Sequence, residues 1–228
     1  MVSRRSAATA EGASEGGRET ARRAKTRERL MDAAYREFCR HGINGTSIEA
    51  IADEAGFTRG AFYSNFASKE ELFLALAERE NRVRLEDLRA RFADVVAPFG
   101  RVEGKPGPEL IEEALADILA FQPAGQQWCL LHSEFRLLAM RDPAVAPKFL
   151  ETTRAFQRQL AELVDSALES VGLRFAVDSL LLTRMLIEQY ESAMQEAILS
   201  GADDPEQAAR THVMRTLPPL VHSLTEVR

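Results

Sequence analysis

The feature that most constrains the fold is a pair of short helical patterns joined by a tight turn, within residues 46–66. Apolar residues of the first pattern recur at the spacing of one buried helix face: Ile48, Ile51, Ala52 and Ala55. Gly56 then provides the turn, and the second helix begins at Thr58. Two short helices at this separation have the dimensions of a helix-turn-helix.

Helical patterns continue along the chain without a convincing alternating strand, which predicts an all-α fold. Capping boxes are expected at Thr46–Glu49 and Ser68–Glu71, the second opening a long helix that runs to about Pro98. A Gly/Pro-rich break follows from Gly100 to Pro108. Further helices are predicted over 109–121, 126–141, 143–171, 179–200 and 205–224, the last interrupted at Pro218-Pro219.

Composition and charge divide the chain into a tail and two domains. Residues 1–21 are mostly small or polar, which predicts a disordered tail. Residues 1–70 carry 12 basic and 10 acidic side chains, whereas residues 71–228 carry 17 and 25, within a total net charge of −6. We therefore expect a first domain over 22–70, which begins with a basic run, and an acidic second domain over 71–228, with different partners.

Several classes of protein are disfavoured by the sequence. No apolar run approaches the roughly 18 residues that span a bilayer, and the first residues lack the apolar stretch of a signal peptide. The two cysteines, Cys39 and Cys129, cannot form a disulfide framework and fit a reducing compartment. A cytoplasmic protein without a membrane partner is the expectation.

The second short helix has side chains suited to a DNA major groove. Its exposed positions from Thr58 to Phe66 are small or hydrogen-bonding, and Lys69 follows it closely. Arg59 suits guanine O6 and N7, and Ala61 suits a thymine methyl group. In the basic run before it, Arg27 is a candidate phosphate contact.

The stretch from Thr26 to Phe73 resembles the DNA-binding domain of the TetR family of bacterial regulators. About 48 residues follow the family order, from Ala33-Ala34 through Ile51-Ala52 to A-G-F-T-R-G-A-F-Y-S-N-F-A-S-K-E-E-L. Glu37 departs from the pattern, because the family often has an apolar residue there, and we expect it to point to solvent.

The resemblance implies a homodimeric transcriptional regulator, usually a repressor, that leaves a palindromic DNA operator when a small-molecule effector binds. By position, it implies base contacts from Arg59 and Ala61. It implies sugar–phosphate contacts from Thr46, Thr58, Gly60, Tyr63, Asn65 and Lys69. Simpler interpretations stay open: the threonines as helix caps, Tyr63 as a core residue and Arg59 as a solvated charge.

The C-terminal domain gives weaker signals. Its aromatic, thioether and polar groups are candidates to line a pocket for a largely apolar ligand: Phe121, Trp128, His132, Phe135, Phe156, Met185, Gln189 and Tyr190. The helix over 179–200 is apolar around much of its circumference, so we expect it to pair with 205–217 and their copies in a homodimer.

Other functions stay open at this point. One alternative is a regulator without a small-molecule ligand, and another is an activator. A helical enzyme is the least favoured, because Gly12–Gly16 fits G-x-S-x-G only within the predicted tail, so no catalytic residue is assigned. Cys129 and His132 lack companion ligands, so neither a metal nor another cofactor is expected.

Overall fold

The computed structural model describes residues 7–97, 104, 106–119 and 125–228. The described residues form ten helices and two short strands, so the all-α prediction is confirmed. The elements are α1 Ala7–Gly45, α2 Ile48–Glu54, α3 Arg59–Tyr63, α4 Lys69–Val96, α5 Pro108–Leu119, α6 Gly125–Arg141, α7 Ala146–Ser170, β1 Leu173–Phe175, α8 Ser179–Leu199, α9 Pro205–Met214, α10 Leu217–Leu224 and β2 Thr225–Val227.

Contacts divide the chain into two compact units. Unit 1 ends at Ala77 and unit 2 runs from Glu78 to Arg228, so the division falls within α4. The sequence predicts this boundary near residue 70, where α4 begins. The capping box that starts α4 can be recognised in the sequence, whereas a change of packing partner within one helix cannot.

The core of unit 1 is aromatic and aliphatic, and it fixes α3 in place. Phe62 of α3 is fully buried, and its ring centroid lies 6.1 Å from that of Phe66. Phe38 of α1 packs against Phe73 of α4 at 6.2 Å. Buried aliphatic residues complete this core: Leu30, Ala33, Ala34, Ile43, Ile51, Ala52, Leu72 and Leu76. The apolar faces predicted for α1 and α2 are thus buried.

The start of α1 differs from the sequence prediction. The helix begins at Ala7, so it includes residues 7–21 of the stretch for which the sequence predicts a tail. This stretch contains Ala, Glu and Arg, which have high helix propensity, and only its lack of apolar residues suggested a tail. The first six residues, like Phe121, lie outside the described residues.

The end of α1 brings a second correction. Gly42 adopts φ 71° and interrupts the helix, as expected for a stop at glycine. Glu37, expected to point to solvent, is buried, and its carboxylate accepts a hydrogen bond from Arg40 Nη1 at 2.8 Å. Pairing with arginine is what allows a carboxylate to occupy the position of an apolar side chain.

In unit 2, α8 and α9 pack on each other through small and medium side chains. The buried cluster consists of Ala193, Met194, Ala209, Val213 and Leu217, with Cys129 and Tyr190 packed against it. The side chain of Asp204 caps α9, accepting from Gln207 N at 2.9 Å, as the Asp-Pro pattern predicts. α7 begins at Ala146 instead of 143, because Asp142 closes a turn there with Ala144 N at 2.9 Å.

The end of the chain was incompletely predicted. Pro218 and Pro219 do not interrupt a helix but lie in the first turn of α10, where the missing N–H groups are not needed. β1 and β2 form an antiparallel ribbon in which Leu173 faces Val227. Three-residue strands are too short to show an alternating pattern, so they cannot be recognised from sequence periodicity.

Candidate nucleic-acid interface

The turn between α2 and α3 depends on Gly56. It adopts φ 69°, a conformation that glycine reaches without strain, and Phe57 N donates to Ala52 O at 2.8 Å. Arg29 of α1 closes the turn from outside, because its Nη2 donates to Ala55 O at 2.8 Å. The predicted turn is therefore fixed from both sides.

Hydroxyl groups begin both short helices. Thr58 Oγ1 accepts a hydrogen bond from Ala61 N at 3.2 Å, which confirms the cap expected for the second helix. α2 is capped by Ser47, whose Oγ accepts from Ala50 N at 3.0 Å, and not by Thr46. The cap is therefore one residue later than predicted, and the reciprocal bond of a capping box is not possible from Ser47, because the residue three positions on is Ala50.

α3 presents a polar face to solvent while Phe62 anchors its opposite face. Arg59, Gly60 and Tyr63 are exposed, whereas Ala61 is half-buried. A side chain at Gly60 would meet only Thr58 Oγ1, at 3.7 Å, so the helix surface is open there. These are the positions at which the sequence predicted base and backbone contacts.

Arg59 is held in place although it lies on the surface. Its Nη1 lies 2.8 Å from Glu49 Oε1 in an ion pair, and the two side chains are 63% and 53% exposed. Its guanidinium carbon lies 5.5 Å from the centroid of the Tyr63 ring. A hydrogen bond with Tyr63, and then the charge of Glu49, raise the pKa of Arg59, so this cation is fully charged at every physiological pH.

Two predicted contact residues are buried in this structure. Thr46 is 3% exposed, and its hydroxyl donates to Gly42 O at 2.8 Å. Asn65 is 8% exposed, and its Nδ2 donates to Ala61 O at 2.8 Å. Both side chains satisfy backbone carbonyls inside unit 1, and their contacts with DNA stay a prediction.

Two predicted cations also bind the protein's own backbone. Lys69 Nζ donates to Ile43 O at 2.9 Å and to Thr46 O at 2.6 Å, which ties α4 to the turn between α1 and α2. Arg27 donates to Asn65 O, and its guanidinium stacks on the Phe66 ring at 4.0 Å. These contacts give both residues a structural role that the sequence did not indicate.

Some exposed polar groups beside α3 were not predicted. Ser64 follows α3, and its carbonyl accepts from Arg23 Nη2 at 3.4 Å. Ser47 is exposed at the start of α2. The cap by Ser47 could have been predicted, because either hydroxyl residue of Thr46-Ser47 can begin a helix. The contact between Arg23 and Ser64 spans 41 residues, and no sequence pattern indicates it.

In unit 2, three predicted ligand-binding residues lie on one face of α6. The ring of His132 lies 6.4 Å from Trp128 and 5.3 Å from Phe149 of α7, and Phe135 is 5.7 Å from Phe149. Burial lowers the pKa of His132, opposed by the charge of Glu191, so the neutral imidazole is favoured. The structure thus brings these side chains together as an aromatic group.

An ion pair that the sequence did not predict adjoins this group. Arg136 of α6 binds Glu191 of α8, and Glu191 Oε1 lies 3.8 Å from His132 Nδ1. The region predicted to hold a largely apolar ligand therefore also adjoins two charged side chains. A ligand in contact with His132 would lie beside one cation and one anion as well as aromatic rings.

The other predicted ligand residues are dispersed. Tyr190 is half-buried against the cluster of α8 and α9, and burial raises its pKa to about 12. Gln189 and Phe156 are half-buried, whereas Met185 is 51% exposed and does not line the interior. A different, largely polar cleft of about 280 Å³ lies between Arg82–Arg89 of α4 and Gln159–Ser166 of α7.

Among the described residues, no three His, Cys, Asp or Glu side chains lie close enough to bind a metal together. Nor does any helix there combine the length and apolar composition needed to cross a membrane.

Part of unit 1 matches a known protein family. Residues 30–76 match the family of bacterial regulatory proteins described as the tetR family. The chain is 29% identical over 136 residues to the HTH-type transcriptional repressor AcnR of Corynebacterium diphtheriae, covering 60% of this chain and 62% of that protein. It is 34% identical over 107 residues to the repressor KstR2 of Mycobacterium tuberculosis, covering 44% and 52%.

The whole fold resembles solved structures of transcriptional regulators. The regulator FadR of Bacillus subtilis, in complex with stearoyl-CoA, superposes with a TM-score of 0.61 at 14% identity, covering 82% of this chain and 95% of that one. The match to curated relatives is shorter: the chain spans 57–62% of the length of the AcnR repressors. These relatives are transcriptional regulators, not enzymes.

Proposed function

We propose that this chain, whose helix-turn-helix domain belongs to the TetR family of bacterial regulators, binds a specific DNA duplex and controls transcription from it. The observation that carries the proposal is the exposed face of α3, where Arg59, Gly60 and Tyr63 surround an open surface. A helix with short side chains and one arginine fits a major groove.

The division of labour among these residues follows from their chemistry. Arg59 contacts base edges, because its guanidinium can donate two hydrogen bonds to guanine. Thr58 and Tyr63 contact the sugar–phosphate backbone with exposed hydroxyl groups. Arg22 and Lys25, exposed on α1, add charge that attracts DNA of any sequence.

Arg59→Ala is expected to weaken binding to the preferred duplex by about 1–3 kcal/mol and to abolish preference at one base pair per half-site. The preferred duplex is first obtained by selection from a random DNA library, and affinities are then measured by fluorescence anisotropy. Arg36→Ala removes an equal charge from an exposed arginine paired with Glu54 and should leave base preference unchanged. Unchanged preference in Arg59→Ala would contradict the groove assignment.

The proposal includes a homodimer formed through residues 179–200 and 205–217, which correspond to α8 and α9. Within one chain these helices already bury Met194 and Val213 against each other. Leu181 and Met185 of α8 remain about half exposed, and large exposed apolar side chains suit a symmetric contact.

We expect light scattering to give twice the chain mass of 25.4 kDa at micromolar concentration. The double variant Leu181→Lys, Met185→Lys should shift the protein towards the monomer, because two charges would be desolvated in the contact. Leu137→Lys, on the exposed face of α6, is the control and should remain dimeric. A wild-type mass of one chain would refute the dimer.

The proposal also includes repression that a small molecule relieves. The aromatic group of Trp128, His132, Phe135 and Phe149 supports a ligand with an apolar part, and this fold holds stearoyl-CoA in FadR. α4 is one continuous helix that starts in unit 1 and continues in unit 2, so it is the proposed route of coupling. A screen for small molecules that change the unfolding temperature would identify candidates.

A further inference from the structure

A carboxylate lies beside the side chain that is proposed to recognise a base. Glu49 of α2 forms an ion pair with Arg59 of α3, with Oε1 2.8 Å from Nη1, across the turn that joins the two helices. The Tyr63 ring lies 5.5 Å from the same guanidinium. The long side chain of Arg59 is therefore held by two neighbours, although all three groups are exposed.

The ion pair is not needed to hold the two helices together. Ile51 of α2 and Phe62 of α3 are both fully buried in the core of unit 1, and Ser47 and Thr58 cap the two helices. Ion pairs between exposed side chains add little to stability, because water screens them. Glu49 lies in the first turn of α2, where a carboxylate interacts favourably with the helix N-terminus. Folding thus gives a reason for a carboxylate at Glu49, but none for its pairing with Arg59.

A carboxylate at this position is unfavourable for binding DNA in general. It adds a negative charge to the surface that meets the phosphates, and the attraction between protein and DNA depends on net positive charge there. Glu49 also partly neutralises Arg59, the cation of α3. Its contribution to DNA binding must therefore be something other than affinity.

The geometry points to orientation. An arginine stem has several rotatable bonds, so a free guanidinium would bind whichever phosphate it meets. With Nη1 2.8 Å from the Glu49 carboxylate and the Tyr63 ring 5.5 Å from the guanidinium carbon, the fork is confined by two neighbours, and its remaining N–H groups can face one pair of acceptors. We infer that Glu49 is a positioning residue that orients Arg59 towards a base edge and so sets sequence specificity, an inference that rests on the proposed DNA-binding function.

The test is the base preference of Glu49→Gln in the full-length chain. The duplex selected by wild type is compared with variants at the base pair whose preference Arg59→Ala abolishes. Wild type should discriminate there by about 5- to 150-fold, and Glu49→Gln should reduce this to less than about threefold. Affinity for non-preferred duplexes should rise, and the salt slope should steepen by about 0.9, because the freed arginine now binds a phosphate.

Two controls separate orientation from simple charge removal. Asp53→Asn removes the same charge from an exposed side chain four residues further along α2 and should leave the preference unchanged. In the Arg59→Ala background, Glu49→Gln should change the preference no further, because the residue it orients is absent. Circular dichroism and urea unfolding check that each variant folds like wild type.

The outcomes distinguish this inference from the proposed function. A wild type that selects a duplex, together with a Glu49→Gln variant that retains the full preference, overturns this inference alone. A further loss of preference in the double variant also overturns it, because Glu49 would then act independently of Arg59. A wild type that selects no duplex overturns both this inference and the proposed function.

Discussion

Phe62→Ala is expected to lower the free energy of unfolding of unit 1 by about 3–5 kcal/mol and to abolish DNA binding. Phe62 is fully buried, and its ring contacts Phe66 and Tyr63 at centroid distances of 6.1 and 5.6 Å. It is the buried anchor of a five-residue helix, which is too short to persist without tertiary packing. Removing the ring should therefore release α3 itself.

Urea unfolding followed by two signals tests this expectation. Trp128, the one tryptophan of the chain, lies in unit 2, so its fluorescence reports that unit, whereas far-UV circular dichroism reports both. Phe62→Ala should shift the circular dichroism transition and leave the Trp128 transition nearly unchanged. Tyr63→Ala, an adjacent aromatic residue that is 46% exposed, should cost less than about 1 kcal/mol. Equal losses in both variants would contradict the anchor role.

Lys69→Met is expected to destabilise unit 1 by about 2 kcal/mol or more, because hydrogen bonds to a charged group contribute about 1.5–3 kcal/mol each. Lys69 Nζ donates to the carbonyl oxygens of Ile43 and Thr46, at 2.9 and 2.6 Å. Methionine keeps the apolar stem and leaves both carbonyls of the α1–α2 turn without this donor. The turn that precedes α2 should then loosen.

The same substitution distinguishes this structural role from the phosphate contact implied by the family resemblance. Lys25→Met removes an exposed lysine of α1 and should reduce the salt dependence of DNA binding without changing stability. Urea unfolding and salt titrations of DNA affinity are measured on both variants. If Lys69→Met unfolds like wild type but binds DNA with a shallower salt slope, Lys69 is a phosphate contact and the structural role is wrong.

The local structure of the helix-turn-helix was predictable from sequence. The Gly56 turn, the Thr58 cap and the buried face around Ile51 each depend on residues no more than a few positions apart. Apolar periodicity and capping chemistry carry that information directly. The family resemblance added which positions of α3 are expected to contact DNA, and periodicity alone does not indicate this.

Sequence reasoning was less successful at deciding which polar side chains are free to bind DNA. Lys69, Arg27 and Asn65 all occur where the family resemblance or the basic run suggests a contact with DNA, yet each bonds to the protein backbone. The carbonyl partners of Lys69 lie 26 and 23 residues away, and that of Arg27 lies 38 residues away. A residue type and its local spacing do not indicate such distant acceptors.

The sequence by itself determined the all-α fold and the turn between α2 and α3, because helix formation and capping depend on neighbours in the chain. It also indicated the aromatic side chains of α6 as candidates to line a pocket. Only the tertiary structure decided that Glu49 binds Arg59 and that Arg136 binds Glu191, 55 residues further along. It also decided that Thr46 is buried while Met185 is exposed. The physical reason is that burial and ion pairing depend on which elements pack together, and the periodicity of one element does not specify its packing partners.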